Sequence, residues 1–275
     1  MTDPLLSAAN VSVVFKIGRG QAAKRLAALD DVSLAVGRGE ILGLVGESGS
    51  GKSTMARVIC GLQSHASGTL VFDGRELGVR RSKEERRAIQ LVFQDPYASL
   101  DPRMSVRQTL TEVLKVHRIV AQHDLRRRCG ELMDLVQLPG KLLDSRPGGM
   151  SGGQRQRIAI ARALAVNPRL LVADEPVAAL DVSVQAGIVN LLADLRADLG
   201  LSILFIAHDL AVVRALCDRV SVIYLGAIRE ERPCQDLFDD PRDDYTKRLL
   251  SAIPRLDGPP TEGLESGVLG VKSSS

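Results

Sequence analysis

The sequence predicts an α/β protein with a mainly parallel central sheet, an N-terminal antiparallel β subdomain and an inserted helical subdomain. Continuous apolar segments of strand length recur at 41–45, 170–173 and 203–207, and segments of helical periodicity separate them. Buried strands that alternate with helices are typical of a parallel sheet covered on both faces. Alternation of apolar and polar residues predicts the antiparallel part, and helical spacing of apolar residues predicts the helical part.

The N-terminal segments alternate between apolar and polar residues, which is the pattern of strands with one buried face. Residues 5–15 and 29–36 show this alternation, and Gly37-Arg38-Gly39 provides a turn after the second. We expect them to pair as antiparallel strands. Residues 68–73 predict a further strand, which ends at the turn-forming pair Asp73-Gly74.

The middle of the chain has the periodicity of helices. Apolar spacing from 106 to 138 predicts a helical subdomain inserted at about 96–165. We expect residues 1–255 to form a single domain. Residues 256–275 are poor in apolar side chains and contain Pro259-Pro260, so they predict a mobile C-terminal tail.

Composition argues against several classes of function. The 275 residues carry a net charge of +3, with 3% aromatic residues and no Trp, which argues against a basic or aromatic surface for nucleic acid. No apolar run approaches the roughly 18 residues of a membrane-spanning helix, and residues 1–10 lack the pattern of a secretory signal. Mixed charges at 80–87 predict a solvated helix face. Four widely spaced cysteines predict reduced thiols in the cytosol rather than disulfides or a metal site.

A glycine-rich segment with one lysine follows the first continuous apolar strand. It reads Gly-Glu-Ser-Gly-Ser-Gly-Lys-Ser-Thr, and it fits the phosphate-loop pattern G-x-x-x-x-G-K-[ST] between a strand and a helix. Glycines let backbone N–H groups approach phosphate oxygens, Lys52 supplies charge for the β- and γ-phosphates, and the Ser53 hydroxyl can bind Mg²⁺. The alternative is a Gly/Ser-rich turn that happens to precede a lysine. The residues expected to bind nucleotide are Gly46, Glu47, Ser48, Gly49, Ser50, Gly51, Lys52, Ser53 and Thr54.

Two adjacent acids end the apolar strand at 170–173. In a parallel sheet this strand end can lie beside the phosphate loop, where Asp174 would bind Mg²⁺ directly or through water. Glu175 follows at the end of the strand, where ligands bind, and would orient and polarise an attacking water. The alternative interpretation of the pair is a simple turn or helix cap.

A second glycine-containing segment, Met150 to Arg157, opens another helix. Its free N–H groups, helix dipole and hydroxyl would form a second anion site. One chain that holds one triphosphate has no evident need of two such sites. We therefore expect a dimer in which the second site of each chain closes the nucleotide site of the other. The residues of this second site are Ser151, Gly152, Gly153 and Gln154.

These motifs resemble those of the ATP-binding subunits of ABC transporters, and the resemblance covers almost the whole chain. The phosphate loop resembles Walker A and Leu170–Asp174 resembles Walker B. Met150–Gln154 resembles the LSGGQ signature, with Met in place of the usual Leu. The resemblance implies an α/β P-loop NTPase that binds ATP with Mg²⁺ and hydrolyses the ATP.

The resemblance also assigns roles to residues outside these motifs. Gln94 resembles the Q-loop glutamine, which contacts the metal or water, and His208 resembles the switch histidine, which contacts the γ-phosphate. Phe15 occupies the position of an adenine-stacking aromatic. Ala179-Leu180-Asp181 resembles the D-loop, with Ala in place of a common Ser. The implied catalytic residues are Glu175, His208 and Gln94, and the implied metal-binding residues are Ser53, Gln94 and Asp174.

Three stretches narrow the resemblance to the oligopeptide, dipeptide and nickel importer subfamily. They are 94–104, 174–185 and 240–254, and the last departs at Asp244, where Pro is common. The resemblance implies an importer subunit that couples ATP hydrolysis to the uptake of peptides, nickel or a related solute. Only Cys234 lies where some relatives carry a cysteine cluster, so we expect no iron–sulfur centre.

The same resemblance implies the partners of the chain. These are transmembrane permease subunits, a second ATPase subunit that is identical or paralogous, and, indirectly, an extracytoplasmic solute-binding protein; nucleic acid is not among them. We expect a peripheral position on the cytoplasmic face of the cell membrane. The loop from Tyr97 to Met104 combines apolar Tyr97, Leu100 and Met104 with prolines, so we expect it to dock on a permease helix.

Two other functions stay open at this point. A non-transport ABC-type ATPase that acts on nucleic acid or ribosomes usually carries a long coiled-coil insertion or two cassettes. Here only the helical block separates Lys52 from Asp174, and there is one cassette. A small-molecule kinase would share the phosphate loop but would not explain Ser151–Gln154. The sequence does not identify the solute, because other subunits would recognise it.

Overall fold

The computed structural model describes residues 3–17, 24–95, 99–178 and 180–251 of the chain. Within these ranges the strands are β1 (Leu6–Ile17), β2 (Lys24–Val36), β3 (Ile41–Val45), β4 (Ser67–Phe72), β5 (Arg75–Glu76), β6 (Ile89–Val92), β7 (Leu170–Asp174), β8 (Ser202–Ala207), β9 (Arg219–Tyr224) and β10 (Ala227–Pro233). The α-helices are α1 (Lys52–Ile59), α2 (Lys83–Ala88), α3 (Val106–Val116), α4 (Leu125–Leu135), α5 (Gly152–Leu164), α6 (Val182–Leu199), α7 (Leu210–Leu216), α8 (Cys234–Asp239) and α9 (Asp244–Ser251). The 3₁₀ turns are Gln122–Asp124, Gly140–Asp144 and Pro147–Gly149.

The strands form two sheets of different character. The smaller sheet has the order β2-β1-β4-β5 and its pairings are antiparallel. The larger sheet has the order β10-β9-β3-β8-β7-β6, in which only the β10–β9 pair is antiparallel. These sheets confirm the predicted α/β class, with a mainly parallel core sheet and an antiparallel N-terminal sheet.

The larger sheet separates two apolar clusters, because side chains alternate between the faces of a strand. On β3, Leu42 and Leu44 face a cluster shared with the smaller sheet and α1, and Ile41 and Val45 face a cluster shared with the helices. Every residue of β3, β7 and β8 is buried. These strands therefore read as continuous apolar runs in the sequence.

Helices α3, α4 and α5 follow β6 and precede β7, and their apolar faces join the second cluster. Ser105 caps the start of α3: its hydroxyl accepts from the Gln108 N–H at 3.3 Å, and the Gln108 side-chain oxygen accepts from the Ser105 N–H at 2.8 Å. This reciprocal capping box satisfies two backbone donors at the helix start. The borders of an inserted subdomain at about 96–165 stay a prediction, and the predicted tail at 256–275 lies outside the described residues. Among the described helices, none is long and apolar enough to cross a membrane.

The sequence pattern does not predict the last three elements, β10, α8 and α9. Strand β10 lies at the sheet edge and reads Ala-Ile-Arg-Glu-Glu-Arg-Pro, so it lacks the apolar run of a central strand. Helices α8 and α9 have six and eight residues, which is too short for a clear helical period. Their positions depend on contacts with distant parts of the chain.

The prediction of a solvated helix face at 80–87 is wrong for one residue, Arg81. Helix α2 itself has no buried residue, as expected, but Arg81 in front of it is buried. Its guanidinium donates to the Val58 carbonyl at 2.9 Å, to the Ile59 carbonyl at 3.3 Å and to the Gly78 carbonyl. Arg81 thus covers the C-terminal end of α1, where carbonyls lack helical partners, and burial lowers its pKa.

We predict that Arg81→Met lowers the free energy of unfolding by about 2–4 kcal/mol, because the variant leaves buried carbonyls without a donor. The matched control is Arg80→Met, since Arg80 is exposed, and it should change stability by less than about 0.5 kcal/mol. Urea unfolding followed by circular dichroism gives both values. Equal stability of the two variants would show that Arg81 does not hold the end of α1.

Candidate functional site

The phosphate loop begins where β3 ends, and its backbone leaves no room for side chains at two glycines. A Cβ atom at Gly46 would overlap the Ile223 carbonyl oxygen. Gly51 has a φ of 112°, and a Cβ atom there would lie 2.6 Å from the Ala28 carbonyl oxygen. The motif therefore needs glycine at these positions for its own geometry, besides the access that glycine gives to a ligand.

Lys52 points its ammonium into the loop. Its Nζ donates to the Gly46 carbonyl at 2.7 Å and to the Glu47 carbonyl at 2.8 Å. Burial lowers the pKa of Lys52, and the nearby carboxylates of Glu175, Asp174 and Glu47 oppose that shift. The ammonium is thus held in a site that an anionic ligand would stabilise.

Ser53 and Asp174 bring two oxygen ligands together from elements that are far apart in sequence. The Ser53 hydroxyl donates to the Asp174 carboxylate at 3.1 Å. Burial raises the pKa of Asp174, although the hydrogen bond from Ser53 opposes the shift. The described residues contain no group of three or more His, Cys, Asp or Glu able to hold a metal. The pair therefore suits a hard ion such as Mg²⁺ only when a nucleotide supplies further oxygens.

Glu175 lies directly after β7, and two side chains contact one of its carboxylate oxygens. Its Oε2 accepts from the Gln94 Nε2 at 3.0 Å and lies 3.3 Å from the His208 Nδ1. Its backbone has a φ of 47°, a left-handed conformation that is uncommon for residues other than glycine and that occurs at functional sites. The Glu175 N–H is satisfied by the Ile206 carbonyl at 2.9 Å. The carboxylate is therefore held in one orientation.

Several of these groups border one small cavity of about 230 Å³, although Asp174 and His208 do not line it. Ligand sites for small molecules usually enclose about 300–1,000 Å³, so this cavity is smaller than usual. Larger surface grooves occur elsewhere, but they do not contain the phosphate loop. The lining residues are Ala28, Ser48, Gly49, Gly51, Lys52, Ser53, Thr54, Gln94 and Glu175.

The second glycine-containing segment is placed elsewhere. Ser151 caps α5: its hydroxyl accepts from the Gln154 N–H at 3.3 Å, and the Gln154 side-chain oxygen accepts from the Ser151 N–H at 3.0 Å. Gly152 and Gly153 pack closely, because a Cβ atom at Gly152 would lie 2.9 Å from a Leu180 methyl and one at Gly153 would overlap Val184. None of the four lines the cavity of the phosphate loop. The expected closure of that site by another chain stays a prediction.

Four other predicted residues have different outcomes. Phe15 is half-buried on β1 and packs against the N-terminal core, and it does not line the cavity, so its stacking role stays a prediction. Ala179 of the D-loop and Tyr97 of the docking loop lie outside the described residues. Leu100 is a correction: it is 4% exposed and packs in the core, so it cannot present an apolar surface to a partner.

Sequence reasoning missed Tyr245 at this site. Its hydroxyl accepts the Glu47 N–H at 3.1 Å, although the two residues lie 198 positions apart. The sequence contains no local signal for such a contact. Residues 240–254 resemble the importer subfamily, but this resemblance does not say which residues Tyr245 contacts.

The chain is similar in sequence to known proteins. The profile of the ABC transporter family matches residues 29–178. A protein of Brucella abortus that is named as a peptide import ATP-binding protein is 53% identical over 234 residues, which cover 84% of this chain and 70% of that protein. This chain belongs to the ABC transporter family. A Brucella ovis protein named in the same way is 49% identical over 232 residues, which cover 83% of this chain and 73% of that protein.

Solved ABC structures share the fold. A dimeric post-hydrolysis state of the ATP-binding cassette MJ0796, bound to ADP and phosphate, has a TM-score of 0.73 at 30% identity, covering 83% of this chain and 98% of that one. The cbiO1 protein of Clostridium perfringens, described as part of an ABC transporter complex, has a TM-score of 0.76 at 26% identity, covering 87% and 92%. The chain is thus an ABC cassette that binds and hydrolyses ATP.

Proposed function

We propose that this chain is the ATP-hydrolysing subunit of an importer that takes up peptides, or nickel or a related solute, through a membrane permease. The observation that carries the proposal is the 53% identity to a Brucella abortus relative that is named for peptide import. The match covers 70% of the length of that relative. The geometry of the site supplies the ATPase chemistry that such a subunit needs. The solute itself would be bound by other subunits.

The binding half of the proposal rests on the phosphate loop. Free N–H groups of the loop and the Lys52 ammonium would bind the β- and γ-phosphates of ATP. Ser50 supports this fit, because its buried hydroxyl has no hydrogen-bond partner among the described residues. Ser53 and Asp174 would hold Mg²⁺, which supplies neutralisation of phosphate charge when bound.

The catalytic half rests on Glu175. With Oε2 engaged by Gln94 and His208, the other carboxylate oxygen is free to accept a proton from an attacking water. Gln94 and His208 would keep the Glu175 carboxylate aligned with the water. Glu175 would thus act as the general base, and Gln94 and His208 would orient it.

The second half of the nucleotide site would come from another ATPase subunit. The cavity in one chain, about 230 Å³, is small for a whole nucleotide, and the helix start at Ser151–Gln154 does not line it. In a head-to-tail dimer, identical or paralogous, each signature segment would cover the phosphate loop of the other chain. ATP binding would close this dimer, and hydrolysis would reopen it.

A groove next to Gln94 offers the contact with the permease. It has a volume of about 530 Å³, and its apolar lining includes the exposed side chains Leu62, Phe93 and Val116. Its rim carries the basic residues Lys83, Arg86 and Arg162. Burial lowers the pKa of His117 in this groove, and nearby positive charges lower it further. An amphipathic permease helix with an apolar face and acidic flanks would fit this groove. This groove replaces Leu100 of the predicted docking loop.

The groove and the catalytic carboxylate share one short segment of chain. Phe93 lines the groove, and Gln94 directly after it donates to Glu175. A permease helix that shifts in the groove would therefore move the residue that orients the general base. The chain would sit peripherally on the cytoplasmic face of the membrane, and an extracytoplasmic solute-binding protein would act on it only through the permease.

We predict that Glu175→Gln lowers the rate of ATP hydrolysis by about 10²-fold or more, because the amide cannot accept the proton of the water. ATP affinity should stay the same or increase, since a negative charge near the γ-phosphate is removed. Phosphate release and calorimetric ATP binding are the two measurements, made on the cognate ATPase pair. Glu112→Gln is the matched control, because Glu112 is exposed on α3, away from the cavity. Near-native phosphate release by Glu175→Gln would make His208 the next candidate.

We predict that Val116→Asp prevents co-purification with the permease and abolishes stimulation of the ATPase by the transported solute, while basal hydrolysis persists. Acid placed in the groove would repel an acidic helix and would cost apolar contact. Val79→Asp is the control, because Val79 is 61% exposed and does not line the groove. Peptides and nickel are tested in separate assays. Stimulation by nucleic acid or ribosomes, with no permease retained by the native chain, would favour the non-transport ATPase instead.

A further inference from the structure

The phosphate loop is braced by residues that belong neither to the cavity nor to any of the nucleotide motifs. The Tyr245 hydroxyl accepts the N–H of Glu47 at 3.1 Å. Tyr245 lies in the first turn of α9 and is 4% exposed. Its ring stacks on Tyr224 at the end of β9, with a centroid distance of 4.1 Å and an interplanar angle of 29°. Burial and stacking therefore fix the position of the phenol independently of its contact with the loop.

The peptide group that Tyr245 contacts is also the one that holds Lys52. The Gly46 carbonyl and the Glu47 N–H belong to a single planar unit, in which they point in opposite directions. The carbonyl accepts from the Lys52 Nζ at 2.7 Å, and the N–H donates to Tyr245 at 3.1 Å. A rotation of this unit would break both hydrogen bonds. Tyr245 and Lys52 are thus connected through one rigid group.

The start of α9 is itself tied to the larger sheet. The buried carboxylate of Glu230 on β10 accepts from the Arg242 N–H at 3.0 Å and from the Asp243 N–H at 3.0 Å. Burial alone would raise the pKa of Glu230, but these backbone hydrogen bonds, together with Thr246 and the charge of Arg232, lower the pKa. Asp243 in turn accepts the N–H of Tyr245 at 2.8 Å. This chain of contacts gives the hydroxyl a defined place relative to β9 and β10.

We propose that Tyr245 is a positioning residue of the nucleotide site. Its hydroxyl fixes the peptide between Gly46 and Glu47, and the carbonyl of that peptide aligns the Lys52 ammonium for phosphate. The aligned loop binds ATP without first having to be ordered, so the hydroxyl contributes to ATP affinity rather than to the chemical step. The short C-terminal helix α9 thereby becomes part of the nucleotide site, although it contributes no group to the cavity.

The test compares two variants that each lose one hydroxyl from the same stacked pair. Tyr245→Phe keeps the ring and removes the acceptor of the Glu47 N–H. Tyr224→Phe is the control, because the Tyr224 hydroxyl makes no hydrogen bond among the described residues. A single hydrogen bond of about 1 kcal/mol corresponds to roughly a fivefold change in affinity. We therefore expect Tyr245→Phe to raise the Kd and KM for ATP about threefold to tenfold, with kcat at saturating ATP unchanged within about twofold.

A second measurement separates positioning from general stability. Hydrogen exchange followed by mass spectrometry should show faster exchange in the phosphate loop of Tyr245→Phe and no change in β9, with the thermal midpoint nearly unaltered. Tyr224→Phe should behave as the native chain in every assay. An unchanged Kd and KM in Tyr245→Phe would overturn the proposal. Equal effects of the two variants, or a fall in kcat without a rise in KM, would overturn it as well, because packing or a catalytic role would then explain the contact.

Discussion

The parallel alignment of four strands is the constraint on which the site depends. β3, β8, β7 and β6 are consecutive neighbours in one sheet and run in the same direction, so their carboxyl ends lie along one edge. That edge presents the phosphate loop, His208, Glu175 and Gln94 in turn. Residues separated by up to 162 positions, from Gly46 to His208, thereby reach a common carboxylate or cavity. Ligand sites of open α/β sheets occur at this edge for the same reason.

Burial gives the site its chemical character. It lowers the pKa of Lys52 and raises the pKa of Asp174, so both groups are held where their charged forms are under-solvated. A bound triphosphate would complement the ammonium, and a divalent cation would complement the carboxylate, so each would relieve a cost that the fold imposes. We therefore propose that the site binds the two ions together rather than either one alone.

The parts that the sequence predicted are those encoded by contiguous residues. The strand after Glu40, the phosphate loop and α7 carry local patterns, because full burial produces apolar runs and a glycine turn needs glycine itself. Arg81, Leu100 and Tyr245 were misjudged or missed, because their environments are made by distant segments. A basic residue in a charged run gives no sign that it will cover a helix end, and an apolar residue between prolines gives no sign that it will enter a core. Strand β10 was missed since an edge strand can be polar.

The central proposal is that one chain holds only half of its nucleotide site. A direct measurement is cross-linking by a short bifunctional maleimide between Ser48→Cys at the cavity and Ser151→Cys at the start of α5, on one chain or on the two chains of a paralogous pair. Each single variant serves as the control for the native cysteines. We predict a cross-linked dimer that forms with Mg²⁺ and a non-hydrolysable ATP analogue and is absent without nucleotide. Cross-links confined to one chain, or equal yields with and without nucleotide, would contradict the account.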